Sequence, residues 1–134
     1  MPTLGWMLLV KTYLGYSPLH GIGVFVEGPL PAGAVVWRFE PNVDRLIDPS
    51  VGDHAGYPET FREYLRRYSL PYPGSSATIF PGDNARFINH QDEPSLVFAV
   101  SDSEAEALVT IRDIESSDEL TLQYPNNFHD WGDA

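Results

Sequence analysis

The chain has no cysteine and only one lysine in 134 residues. The first absence excludes a disulfide framework, a cysteine nucleophile and a thiolate-bound zinc together. Bases as a class are scarce: eight Lys and Arg stand against nineteen Asp and Glu, for a formal net charge of -11. Long apolar runs are missing as well. The start, M-P-T-L-G-W-M-L-L-V, has no basic region and too short an apolar stretch for a signal peptide or a bilayer span. A cytoplasmic protein without membrane contact is therefore expected. No H-x-x-x-H pair and no G-x-S-x-G elbow occurs, and His20, His54, His90 and His129 are widely separated. Neither a metal site nor a serine hydrolase is expected from this sequence.

What is present points to one domain over residues 1–134, since a chain 43% hydrophobic and of this length can build one core but not two. The acid is unevenly placed. From Asp92 to Ala134 eleven acids face a single base, Arg112, whereas Met1 to Gln91 holds eight acids and seven bases. Such a field repels nucleic acid phosphate and suits a Lys-rich protein or peptide, although a merely solvated face has the same composition.

Twelve prolines and eleven glycines punctuate short segments rich in β-branched and aromatic residues. Strands are expected over Met7–Tyr13, Gly23–Val26, Ala34–Phe39, Leu96–Val100, Ala107–Ile111 and Glu119–Tyr124. P-L-P-A-G before Ala34 reads as a turn, and S-D-S-E-A-E before Ala107 as the turn of a hairpin. In P-E-T-F-R-E-Y-L-R-R-Y, residues Phe61, Tyr64, Leu65 and Tyr68 recur at helical spacing, which predicts one helix starting near Pro58 with its aromatic stripe in the core. The fold class is mainly β with one inserted helix.

Three stretches could carry chemistry. In S-P-L-H-G-I-G-V-F-V, Gly21 and Gly23 bracket Ile22 at a strand entry, which fits a tight turn or the close approach of bare backbone to a small zwitterion. In D-N-A-R-F-I-N-H-Q-D-E-P-S, Asn89 can both donate and accept and His90 can bracket a base edge; a ligand contact and an Asx turn fit equally. In D-E-L-T-L-Q-Y-P, Pro125 ends the ladder, leaving Tyr124 as either a packing residue or a phenol presented to a cleft.

Taken in order, H-G-I-G-V-F, R-F-I-N-H-x-x-x-P and E-L-T-x-x-Y resemble the signature series of SET-domain protein lysine methyltransferases, over residues 9–124. The resemblance implies several small β-sheets, a C-terminal pseudoknot and the helix as an insert between halves. It implies S-adenosylmethionine as cofactor, with His20, Gly21, Ile22, Gly23, Asn89 and His90 along it and Arg86 and Phe87 supporting the site. It implies Tyr124 as the catalytic residue, orienting the amine of a lysine in a protein substrate, and Phe39 and Leu122 as residues of the substrate channel.

The sequence also departs from the family. N-H-Q-D-E-P-S replaces the usual N-H-S-C-x-P-N, Ile22 stands where tryptophan is common, and Leu122 replaces an aromatic. No zinc-binding cysteine cluster follows, and in the tail over residues 125–134 Trp131 and Phe128 are expected to close over the adenine and the lysine stem. These departures leave two further outcomes open: a module of the same fold that binds basic peptides without transfer, and a methyltransferase acting on a small-molecule amine. Self-association as a homodimer is expected of a domain this small.

Overall fold

The computed structural model describes residues 7–48, 57–72, 77–99 and 107–124. Short strands interrupted by turns assemble three small sheets. The strands are β1 Met7–Leu8, β2 Thr12–Tyr16, β3 Ile22–Val26, β4 Val35–Arg38, β5 Arg45–Ile47, β6 Leu70–Pro71, β7 Thr78–Phe80, β8 Asn89–His90, β9 Leu96–Ala99, β10 Ala107–Thr110 and β11 Glu119–Leu122. The helix α1, Glu59–Tyr68, precedes β6, and a 3-10 turn, Asn84–Phe87, precedes β8. Among the described residues no helix is long and apolar enough to cross a membrane.

The first sheet has the order β1-β4-β10-β9 and is antiparallel throughout. Its central residues Val36, Trp37, Leu96 and Leu108 are fully buried. Each such side chain contributes roughly 1.5–3 kcal/mol of hydrophobic stabilisation. Trp37 meets Phe39 and Phe98 edge-on, with ring centroids 6.4 and 6.5 Å away. The turn before β4 is as expected: Gly33 adopts φ 84, and the Thr110 hydroxyl donates to Pro31 O while accepting from the Ala34 N–H.

The second sheet, β2-β3-β11-β8, positions the site. The strands β2 and β3 form a hairpin closed by the Ser17 N–H donating to Gly21 O, with Gly21 at φ 47. On the other side of β3, β11 runs antiparallel to β3 and parallel to β8, pairing Thr121 with Asn89 and Leu122 with His90. The third sheet, β5-β7-β6, belongs to the insert that carries α1.

Two expectations need adjusting. The apolar run Met7–Tyr13 is not one strand: after Leu8, whose N–H donates to Asp83 Oδ2, the chain leaves the first sheet and joins the second at Thr12. The helix starts as expected, after Pro58, but of its stripe only Leu65 is buried; Phe61 is 43% and Tyr64 38% exposed. The rings instead form a ladder along the surface, Tyr57 on Phe61 and Tyr64 on Tyr68, tied to the body by Tyr64–Phe80 and Tyr68–Phe87. The S-D-S-E-A-E turn lies outside the described residues, while β9 and β10 pair as its hairpin arms.

Candidate active site

The glycine motif and the Asn-His motif meet through one carboxylate. Glu119, the first residue of β11, accepts from the Ser17 hydroxyl at 2.8 Å through Oε1 and from Asn89 Nδ2 at 3.0 Å through Oε2. Asn89 Nδ2 also donates to His20 O at 2.9 Å and Ile22 O at 3.1 Å. Ser17 in turn accepts from the Leu19 and His20 N–H groups, so its hydroxyl shapes the turn while Glu119 anchors it. Gly23 must be glycine here: a Cβ would lie 2.2 Å from Glu119 Oε2 and 3.1 Å from Ser17 Cβ. Glycine at this position lets the carboxylate approach the strand backbone.

Beside this network opens a cleft of about 180 Å³, lined on one wall by His20, Gly21, Ile22, Ile88 and Asn89 and on the other by Arg67, Tyr68, Arg86 and Phe87. The structure thus gathers four residues expected along a cofactor, His20, Gly21, Ile22 and Asn89, with the two expected to support the site, Arg86 and Phe87. Gly23 lies behind the cleft against Glu119. Arg86 is committed to the insert, donating to the Tyr64 hydroxyl at 2.6 Å and to Pro81 O at 3.2 Å with its guanidinium over the Phe80 ring.

His90 faces the far end of β11. Its Nδ1 accepts from the Tyr124 N–H at 2.9 Å, which fixes the proton on Nε2, 3.0 Å from Asp92 Oδ1. The Tyr124 hydroxyl donates to the carbonyl of Ile88, and burial pushes its phenol well above the usual tyrosine range. Ile88 also lines the cleft, so one wall residue stands between the tyrosine hydroxyl and the cleft. Leu122 is buried in the core, and Phe39 packs against the same core beside Trp37. Phe128 and Trp131 lie outside the described residues.

The residues that depart from the family pattern have work to do here. Ser95, fully buried, exchanges hydrogen bonds with Thr121, donates to Glu119 O, and receives the Thr121 N–H at 2.9 Å. Gln91 accepts from the Thr121 hydroxyl at 2.9 Å and donates its N–H to Leu122 O. Both clamp β11 against the Asn89-His90 segment.

Glu119, Ser17, Ile88, Arg67 and Tyr68 were not singled out by sequence reasoning. For Glu119 a signal existed: it opens a strand whose next three residues are all buried, so its carboxylate requires donors nearby. For Arg67 and Tyr68 the helical stripe gave the face but not the neighbour.

A nucleoside that carries a zwitterionic amino acid fits the cleft's chemistry. Where a Cβ would project from Gly21 there is nothing within 4 Å, so its backbone is open to a ligand. Tyr68 and Phe87 supply rings 5.4 Å apart for an apolar or aromatic part, and Asn89 Oδ1 faces no donor among the described residues, leaving an acceptor for an ammonium.

A search of curated protein sequences finds no significant match. Among solved structures, the chain is similar to the crystal structure of a candidate histone methyltransferase from Plasmodium falciparum, with 20% identity and a TM-score of 0.55 over 89% of this chain and 96% of that one. At that identity the likeness speaks to fold alone. The family model described as the SET domain matches residues 21–125, from the glycine motif through Tyr124. With three small sheets, an inserted helix and that match over most of its length, the chain belongs to the SET-domain family.

Proposed function

We propose that this protein transfers a methyl group from S-adenosylmethionine to the side-chain amine of a lysine in a protein substrate. The observation that carries the reading is the convergence of His20–Ile22, Asn89 and the aromatic residues Tyr68 and Phe87 on one cleft whose wall residue, Ile88, holds the Tyr124 hydroxyl. The parallel pairing of β8 with β11 supports a pseudoknotted C-terminal segment that draws these parts together.

In this reading the Gly21–Ile22 backbone and Asn89 hold the amino acid part of the cofactor, His90 meets the adenine, and Arg86 and Phe87 support the wall. Bound there, S-adenosylmethionine would supply an activated methyl on a sulfonium, with S-adenosylhomocysteine as the by-product and the amine's proton passing to solvent. A free lysine titrates at ~10.4, so deprotonation at neutral pH costs roughly 4–5 kcal/mol. A desolvated channel lined by Phe39 and Leu122 lowers that cost. Tyr124, kept neutral by burial, orients the amine and does not act as a base. The acid concentrated after Asp92 favours a Lys-rich segment as partner and disfavours nucleic acid. Trp131 and Phe128 are assigned to closure over adenine and the lysine stem.

Calorimetry with S-adenosylmethionine and radioactive methyl labelling of basic proteins test the reading; no binding and no labelling would sink it. Tyr124→Phe is expected to lower turnover by about a hundredfold while leaving cofactor affinity nearly intact. Labelling of free amines but not peptides would redirect the assignment to a small-molecule substrate. A second reading, a basic-peptide module without transfer, draws on the Tyr124 hydroxyl being engaged by Ile88 O, a bond that holds structure without chemistry. Peptide binding independent of S-adenosylmethionine, with no transfer, would establish it. A homodimer is the expected assembly, and a strict monomer in sedimentation at micromolar concentration would count against it.

A further inference from the structure

The acid of this chain begins late: no Asp or Glu precedes Glu27, and before it only Lys11 and His20 are basic. Most of that segment is the β2–β3 hairpin, and β2 is an outer strand of the second sheet. Two hydrogen bonds fix which way its backbone groups point. At one end of the ladder the Glu27 N–H donates to Lys11 O at 3.1 Å, and at the other the Ser17 N–H donates to Gly21 O at 2.8 Å. Since antiparallel pairs alternate, Lys11, Tyr13, Gly15 and Ser17 turn their backbone groups toward β3. Those of Thr12, Leu14 and Tyr16 point away from it, and among the described residues no strand lies beyond β2. Val26 agrees: it stands opposite Thr12, yet its N–H donates to Asp118 O and its carbonyl accepts from the Ser117 N–H, on the side away from β2. The edge lacks the usual protection. From Thr12 to Tyr16 there is no charge, no proline and no bulge, while Leu14 is 39% and Tyr16 91% exposed.

We infer that β2 is the seam of a homodimer, pairing antiparallel with β2 of a second copy about a twofold axis at Leu14. Leu14 then faces Leu14 of the second copy, while Thr12 and Tyr16 face its Tyr16 and Thr12. Each of these pairs exchanges both of its N–H···O bonds, so every outward-pointing backbone group of the strand finds a partner. On the other face Tyr13, stacked on Phe25 of its own chain, meets Gly15 of the second copy, where bare backbone leaves room for the ring. Charge selects a second copy as the occupant. Two chains of net charge -11 repel wherever their acids meet, and the acid-free hairpin lets them join with those acids held apart. A partner chosen for opposite charge would find only Lys11 there. The inference rests on the self-association expected above, gives it a place in the fold, and is independent of methyl transfer. Because β2 runs directly into the Ser17 turn, the joined sheet braces the cleft wall of each copy.

Sedimentation velocity at micromolar concentration tests the seam, with circular dichroism checking the fold of each variant. Wild type should run as a dimer. Leu14→Lys and Leu14→Glu should each weaken the dimer by about tenfold, because like charges then face each other across the axis, and mixing the two variants should restore it. The chain has no cysteine, so Leu14→Cys reports on the register directly. With Cα atoms about 5.5 Å apart it should oxidise to a covalent dimer under copper phenanthroline. Tyr16→Cys, roughly 14 Å from its copy, should not. A dimer that Leu14→Lys leaves intact, or one that Tyr16→Cys crosslinks and Leu14→Cys does not, overturns the seam and leaves the homodimer standing. A monomeric wild type overturns both, and neither result touches methyl transfer.

Discussion

The two walls of the cleft are built on different principles. The wall of His20–Ile22 and Asn89 is held by hydrogen bonds across 102 residues of sequence, from Ser17 through Glu119, and by the His20 and Ile22 carbonyls that accept from Asn89 Nδ2. The other wall joins the surface ladder of rings and arginines on α1, with Phe61 and Tyr64 largely exposed, to Arg86 and Phe87 of the 3-10 turn. The first wall can hardly change without losing its geometry. The second can alter one side chain at a time without disturbing the first.

That contrast can be broken from the rigid side first. Gly23→Ala pushes a methyl into Glu119 Oε2, and because that carboxylate is fixed by Ser17 and Asn89 it cannot swing aside. A loss of about 1–3 kcal/mol in stability and of cofactor binding is expected, read by thermal melting and calorimetry. If Gly23→Ala melts and binds as wild type does, Glu119 is not the linchpin described. Next in size is Glu119→Gln. One amide oxygen cannot serve both the Ser17 hydroxyl and Asn89 Nδ2, so cofactor affinity should fall by roughly tenfold with a smaller change in melting temperature.

A smaller effect appears at high pH. Folding raises the Tyr124 pKa, so the folded state holds the phenol proton more tightly than the unfolded chain. The resulting stability is complete below the unfolded value of ~10 and is lost as pH rises beyond it. Melting temperature should therefore drop more steeply with pH above this point in wild type than in Tyr124→Phe; parallel curves would place the phenol in water. The smallest effect is Asp92→Asn. Its side chain is 90% exposed, and His90 keeps the Tyr124 N–H through the other ring nitrogen, so no measurable change in melting is expected. A clear loss would mean that Asp92 sets the imidazole's tautomer after all.

How much of this was legible in the sequence depends on element length. The strands around Val24, Trp37, Leu108 and Leu120 show through because four or more residues carry a β pattern and a buried face. The short strands β5 to β8, two or three residues each, are below any period. The run Met7–Tyr13 misleads for a related reason: apolar character says that a segment is paired, not that all of it pairs in one sheet. The helical stripe was correct in spacing and wrong in depth, since aromatic rings can bury one another as well as a core. For the site, the motifs gave Asn89 and the glycines, while Ile88 and Arg67 became visible only through the neighbours that folding gives them.

The parallel pairing of β8 with β11 has a consequence in time. Asn89 cannot take up its orientation until Glu119, thirty residues later, has been made and seated, and the Ser17 turn waits on the same carboxylate from still farther back. The wall therefore needs β11 in place, and a nascent chain that ends before that strand holds every glycine of the motif without the carboxylate that orients Asn89. A cofactor that binds the finished cleft acts as a latch on the final strand, favouring the closed chain by mass action.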